Sequence, residues 1–440
     1  MSTLLRRLGV RDAALIVMGG IIGSGIFMNP SVVARHVHSV WAIMLAWIIG
    51  GAVALLGGGL FAELAARRPH DGGLYAYIRD AFHPSLAFLY GWTLLIVSQS
   101  GGMAASAVTF AAYFAPLTGL QVDPRILAVL TIGGFTLINC LGVREGASTQ
   151  NVFMAVKIAA IAAFVLVGLF APHAAPVAAV ATAYPSGGVL AAMGLALVPV
   201  LFAYSGWQTS SFMTAEMKDP ARTLPRGLIV GVVGVVVLYL AVNAVSVMAL
   251  GTGGLAATDT PASAIAQLAF GPIGARIMAA VVALSTLGFL SNQMLVSPRV
   301  YFQMASDGIF FRQLAWVNAR TRVPVLAIAL QGTIAIAVAV SNRYGAILNY
   351  VTSIDYVFFG LAAIALFVFR ARDARDPQAP APGFRMPGHP YSTALFLAVA
   401  WGVVADVLFK APRDGAIGLG ILLSGLPVYA IFTRRRRTST

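Results

Sequence analysis

The chain has 440 residues, 59% of them hydrophobic and only 10% charged, with a net charge of +14. An average soluble domain carries roughly 25% charged residues, so the composition excludes an ordinary soluble fold and indicates a polypeptide that crosses a bilayer. The single cysteine, Cys140, excludes an intrachain disulfide and any cysteine-based metal motif.

Twelve apolar segments follow one another, at residues 12–34, 40–66, 84–115, 124–141, 151–171, 188–215, 227–250, 272–305, 324–340, 345–369, 393–409 and 415–432. Each approaches or exceeds the ~20 residues of a spanning helix, and residues 158–215 contain no Asp, Glu, Lys or Arg. The first segment lacks a small-residue cleavage site and is expected to be a retained helix rather than a signal peptide. At its centre stands Gly19-Gly20-Ile21-Ile22-Gly23-Ser24-Gly25-Ile26-Phe27. Glycine costs about 1 kcal/mol relative to alanine in a helix interior. Unwound backbone inside a bilayer is tolerated only where protein or a watery cavity satisfies its N–H and C=O groups. The motif therefore predicts a helix broken near the midplane, with free amides suited to an anion and free carbonyls suited to a cation.

The fifth segment holds Lys157 within an otherwise apolar stretch, a turn or two from its cytoplasmic end. A mid-bilayer charge costs ~2.5–3.5 kcal/mol even on the lenient insertion scale, so Lys157 is expected to face the protein interior. Snorkelling to water is the plainer alternative. The sixth segment contains Pro199 and then Phe202-Ala203-Tyr204-Ser205-Gly206-Trp207-Gln208-Thr209-Ser210-Ser211. Proline removes a backbone donor, and polar residues crowd where lipid-facing ones would be apolar. Segments 1 and 6 are thus both interrupted, five segments apart. Small residues that only let helices pack closely would explain either one singly. The pair, at matching places in two halves, is the mark of an inverted-repeat transporter site. Asp355, in the tenth segment, either faces a cavity, where it would select substrates or bind protons, or sits hydrated at the outer helix end. The loop 370–392, rich in Pro and Arg, is expected to be extended.

With the N-terminus inside, 22 basic residues fall on the inner side and six on the outer, leaving Lys157 within a span. This asymmetry orients both termini to the cytoplasm. It also accounts for the positive net charge without nucleic acid, which is not an expected partner. Glu63 and Glu216, at inner helix ends near Arg67, Arg68 and Lys218, are expected to join an ion-pair network. No Walker motif occurs, and no His, Cys, Asp or Glu spacing suggests a catalytic or metal site.

Several motifs together carry a resemblance. Gly23-Ser24-Gly25-Ile26-Phe27 resembles the first-helix motif of the amino acid–polyamine–organocation transporters. Glu216-Met217-Lys218-Asp219-Pro220, with Arg222 and Leu224-Pro225-Arg226-Gly227, is similar to the loop after their sixth helix. Glu63-Leu64 with Pro69, Gly72-Gly73, Tyr75 and Tyr77 is similar to their second-to-third-helix region. Ser297, Arg299 and Asp307-Gly308 resemble the end of their eighth helix. Phe202-Ala203-Tyr204 with Gly206-Trp207 resembles the L-amino acid transporter branch in particular. The matches run from residue 12 to about residue 370. A proline frequent in the third helix of that branch is replaced here by Ser100.

The resemblance implies an all-α membrane protein of about 12 helices with a leucine-transporter-type 5+5 inverted repeat. Repeat 1 would span 12–171 and repeat 2 188–369. A cytoplasmic N-terminus (1–11), a cytoplasmic loop (370–392), two peripheral helices (393–432) and a basic tail (433–440) complete the expected organisation. The resemblance puts the substrate carboxylate on the amides around Gly23, Ser24 and Gly25, and the ammonium on carbonyls near Ile21, Phe202, Ala203 and Ser205. Phe202 would be a gate over the substrate, the alternative being a core aromatic, and Trp207 and Gln208 would either line the side-chain pocket or serve packing. It implies that Lys157 replaces a coupling cation, reaching the backbone near Gly19 or Ile22, and Ser285. Animal members join a heavy chain through a cysteine after the third helix. Loop 116–123 has none, so no covalent heavy-chain partner is expected.

The expected function is sodium-independent exchange of neutral L-amino acids across the cell's inner membrane, without a cofactor. Ser205, Gly101, Gly102 and Ala104 suggest a substrate of small to moderate size. A proton-coupled symporter, an amine or polyamine carrier and a membrane amino acid sensor are the alternatives.

Overall fold

The computed structural model describes residues 6–23, 25–70, 72–170, 188–341, 344–410 and 412–437. Among them the secondary structure is helical, apart from one isolated bridge between Leu8 and Met217. The helices are α1 (Val10–Ile21), α2 (Gly25–His36), α3 (Val40–Arg67), α4 (Leu74–Ala81), α5 (Pro84–Thr93), α6 (Gln99–Thr118), α7 (Pro124–Leu141), α8 (Val143–Phe170) and α9 (Gly188–Tyr204). They continue with α10 (Pro220–Ala257), α11 (Pro261–Phe270), α12 (Pro272–Val296), α13 (Pro298–Ser306), α14 (Val325–Val340), α15 (Tyr344–Asp373), α16 (Tyr391–Lys410) and α17 (Pro412–Arg437).

Nine of the described helical segments are long and apolar enough to cross a membrane, ten if the bent pair α1 and α2 counts as one span. Two of the remaining expected segments fall on shorter apolar helices, Val325–Val340 and Tyr391–Asp406. Local sequence sets many of the starts. Helices α5, α7 and α10 to α13 each open on a proline, whose missing N–H costs nothing at a helix N-terminus. Ser39 caps α3 by accepting from the Ala42 N–H at 3.2 Å, and Asp123 caps α7 by accepting from the Arg125 N–H at 2.8 Å.

Two differences from the expected segments bear on the site. The third segment is interrupted by a π-turn, Leu94–Ser98, between α5 and α6. The hydroxyl of Ser100 donates to the Leu95 carbonyl at 2.5 Å. Helix α8 starts at Val143, before the expected start of the fifth segment at residue 151. Lys157 therefore lies about 14 residues, roughly 21 Å, from the helix start and not a turn or two inside it.

Helix α10 lies against α1 and α3, and α12 against α6 and α8. Small residues allow these approaches: a Cβ added at Gly227 would come within 2.4 Å of Ala13 Cβ, and one at Gly231 within 2.6 Å of Val17 Cβ. A set of buried ion pairs ties helix ends together at one end of the bundle. Glu63, fully buried, accepts from Arg67 at 2.7 Å, from Arg370 at 2.6 and 2.8 Å, and from the Met386 N–H at 2.7 Å. Asp373 pairs with Arg67 and Arg68 at 2.5 Å each. Glu216 pairs with Arg299 of α13 at 2.9 Å. The N-terminal strap is fastened at the same end: the N–H groups of Arg7 and Leu8 donate to the Glu216 carbonyl at 2.9 Å, and Lys218 N–H returns to Leu8 at 2.9 Å.

Candidate functional site: two broken helices around a cavity

The first break lies between α1 and α2, whose axes differ by 45°. Ile22 is extended, its N–H donating to Met18 at 2.8 Å, and Gly23 follows outside any helix. Ser24 lies outside the described residues. The second break follows α9. Ser205 folds back, its N–H donating to the Phe202 carbonyl at 3.1 Å and its hydroxyl to Leu201 at 2.8 Å. Gly206 adopts φ +120°, a conformation that favours glycine, and a 3₁₀ helix, Trp207–Glu216, continues the chain.

The breaks touch each other through backbone. A Cβ on Gly206 would sit 2.1 Å from the Gly20 carbonyl oxygen, and one on Gly20 would sit 2.6 Å from the Gly206 oxygen. Only two glycines permit this approach. The hydroxyl of Tyr239, on α10, lies between two freed carbonyls, 3.2 Å from that of Ile21 and 3.3 Å from that of Ala203. Oriented to satisfy both of its ends, the Asn292 amide donates to the Ile16 carbonyl and accepts from the Gly20 N–H, at 3.2 and 3.1 Å. The carbonyls at the two breaks thus share Tyr239 of α10, while Asn292 of α12 braces the last turns of α1.

Lys157 is buried, and its ammonium donates to the Ile22 carbonyl at 2.6 Å. Its aliphatic stem passes Gly288 of α12, where an added Cβ would lie 3.1 Å from Lys157 Cε. Ser285 lies one carbonyl further along, donating to Gly23 at 3.4 Å. Gly19 abuts the amides of Gln150 and Asn292, at 2.1 and 3.0 Å from an added Cβ. The structure therefore brings Lys157, Ile22, Gly288 and Ser285 together between α1, α8 and α12, and sets Gly19 against a different pair of side chains.

A cavity of about 320 Å³ opens beside the two breaks. Ile21, Gly23, Gly25, Phe202, Ala203, Ser205, Gln208 and Asp355 line it. Phe202 is 41% exposed although it is a large aromatic within a span. Trp207 does not line the cavity. It is buried against Phe359 and Phe396, with ring centroids 5.3 and 6.3 Å away. Its burial follows from the 3₁₀ geometry, which turns Gln208 to the cavity and Trp207 to the core. Of the small residues of α6, Gly102 lines the cavity while Gly101 and Ala104 are buried in the packing; Ala105, Ser106 and Thr109 continue the lining face.

Sequence reasoning missed Ser98, Gln99, Phe289 and Gln293, all lining residues, as well as Tyr239 and Asn292. Gln99, Asn292 and Gln293 carried a usable signal, being amides inside apolar segments. Nothing local distinguishes Tyr239 from a core aromatic. Ser98 depends on the π-turn, which shifts the facing of every later residue in the helix.

The amino acid permease family model matches residues 8–432. The chain is similar to the large neutral amino acids transporter small subunit 2 of Mus musculus, with 30% identity over 97% of this chain and 81% of that protein. It is similar to the serine/threonine exchanger SteT of Bacillus subtilis, with 27% identity over 98% of each chain. A third relative is the b(0,+)-type amino acid transporter 1 of Mus musculus, with 28% identity over 98% of this chain and 88% of that protein.

Proposed function

The chain belongs to the amino acid permease family, and on that premise we propose that the cavity between its two broken helices is the substrate site of a sodium-independent exchanger of neutral L-amino acids. Amino acid transport and exchange are the functions of its relatives. One observation carries the assignment of the site. The two breaks meet at Gly20 and Gly206, and a cavity lined by Gly23, Gly25, Phe202 and Ala203 opens beside the contact. Amides at the start of α2 face a carboxylate, and carbonyls of α1 and α9 face an ammonium. The Phe202 carbonyl already accepts from Ser205, and those of Ile21 and Ala203 share Tyr239. Each carbonyl has two lone pairs, so an ammonium would add to these bonds rather than replace them.

Lys157 occupies the place of a coupling cation in this reading, its charge held on the Ile22 carbonyl. Ser285 supports the adjoining carbonyl of the same break. The architecture we propose is the leucine-transporter type: repeat 1 over 12–171, repeat 2 over 188–369, a loop at 370–392, helices at 393–432 and a tail from 433. Both termini are cytoplasmic in the cell's inner membrane, and the chain works without a covalent heavy chain. Transport is by alternating access. Purified protein in liposomes loaded with a neutral amino acid tests this reading. Labelled amino acid should enter only against internal amino acid, and equally well with external sodium or choline. Uptake that requires sodium would overturn the role given to Lys157. Uptake into empty liposomes driven by a pH gradient would overturn exchange.

A further inference from the structure

The cavity holds more polar chemistry than an α-amino and an α-carboxyl group require. On the side formed by α15, the π-turn and α6, Asp355 lines the cavity and is partly accessible from it. Its one hydrogen bond among the described residues is from the Ser98 hydroxyl, at 2.8 Å. No Lys, Arg or His among the described residues lies within ion-pair distance of it. By contrast Glu63, Asp373 and Glu216, none of which lines the cavity, each have an arginine partner. Asp355 is therefore a cavity-facing carboxylate without a protein counter-charge.

Three amides share the same cavity. Gln99, Gln208 and Gln293 are each at least 95% buried, all three line it, and their side-chain oxygens accept no hydrogen bond among the described residues. A buried polar group left unpaired costs about 1–3 kcal/mol. Three at one cavity are explained by a ligand that supplies donors. Binding of a proton alone at Asp355 would leave the three amides unsatisfied. An aliphatic side chain would leave the three amide oxygens without a donor and the carboxylate without a counter-charge.

We propose that this side of the cavity is a subsite for a cationic side chain, so that the protein accepts basic α-amino acids as well as neutral ones, with Asp355 as the residue that selects them. The proposal rests on the reading of the cavity as an α-amino acid site and extends it from neutral to basic side chains. The α-groups occupy the breaks at Gly25 and Ala203. The side chain runs past Gln208 and Gln293, and its ammonium or guanidinium meets Asp355 with donors to spare for the amides. The Ser98 hydroxyl holds the carboxylate in place. The π-turn is what aims Ser98, because one extra residue in the turn rotates it relative to a regular helix.

The test compares lysine with norleucine, which has the same chain length without the terminal ammonium, as inhibitors of labelled leucine exchange in liposomes. A charge-assisted hydrogen bond in a desolvated site corresponds to about a ten- to hundredfold difference. Lysine should therefore inhibit at least about tenfold more strongly than norleucine in the unaltered protein. In Asp355→Asn, which keeps the shape and a partner for Ser98, lysine and norleucine should inhibit about equally whatever leucine exchange the variant retains. Equal inhibition by lysine and norleucine in the unaltered protein overturns the proposal without any variant, as does a lysine preference that survives Asp355→Asn. Should Asp355→Asn fail to fold, Nε-acetyllysine on the unaltered protein serves instead. It keeps the amide N–H and removes the charge, and inhibition as strong as lysine's would overturn the role of charge. If neither leucine nor lysine exchanges or is bound, the broader reading of the cavity fails and this proposal falls with it. Leucine exchange without lysine preference sinks the subsite alone.

Discussion

At the scale of single residues, the glycines of the first break divide into two kinds. Gly19 and Gly20 are contact glycines, with added Cβ atoms 2.1 and 2.4 Å from neighbouring side chains. Gly23 and Gly25 face the cavity, and the nearest atoms to added Cβ atoms there lie at 3.7 and 3.4 Å. Gly25→Val should therefore fold, because its side chain enters free space, yet lose binding, because in the proposed site that space receives the substrate carboxylate. Thermal-shift titration with substrate is the measurement, and substrate stabilisation retained in a folded variant would place the carboxylate elsewhere. Lys157 gives a second prediction. Removing its ammonium leaves the Ile22 carbonyl without its donor, a loss of about 1–3 kcal/mol, comparable to the few kcal/mol that separate conformational states. Lys157→Ala should lose most exchange at every pH. Loss of gradient-driven accumulation with exchange intact would instead make Lys157 a proton carrier.

At the scale of elements, the breaks behave as one device. Neither α1 nor α9 ends at an ordinary cap. Each ends where the other's backbone arrives, and Tyr239 of α10 bridges the carbonyls that both release. Gly206→Ala places a methyl group against the Gly20 carbonyl and forces a left-handed φ on alanine. Strain of this kind costs about 1–3 kcal/mol, and the carbonyl contact adds to it. The variant should lower the unfolding temperature and weaken substrate binding together. Gly133→Ala, a helix glycine with nothing within 4 Å of an added Cβ, should change neither. If Gly206→Ala binds as well as the unaltered protein, the contact between the breaks is not part of the site.

At the scale of the whole molecule, the buried ion pairs hold α3, α15 and the segment before α16 together at one end, with Glu63 as the hub. The second cluster joins α4 to the end of α13, where Asp307 accepts from Tyr75 at 2.7 Å and pairs with Arg79. Glu63→Gln leaves Arg67 and Arg370 without their shared carboxylate. Breaking a buried pair from one side costs about 3–5 kcal/mol. The variant should unfold at lower temperature. An unchanged unfolding temperature would mean that the hub adds nothing to stability.

Composition and residue type alone determined a great deal. The apolar segments are helices because lipid leaves the backbone no other partner than itself. The interruptions at Gly23 and Ser205-Gly206 were legible because glycine, serine and proline are costly in a spanning helix and their presence calls for a reason. Lys157 was legible as an interior group for the same cause. Tertiary structure alone decided which side chain faces which space. A π-turn of five residues turned Ser98 and Gln99 to the cavity, and a 3₁₀ turn sent Trp207 to the core and Gln208 to the cavity. It also brought Tyr239, from 36 residues beyond Ala203, to the carbonyls of both breaks. Facing within a helix depends on small, cumulative rotations, and contact between distant segments depends on packing. Neither is written in the local pattern of residues.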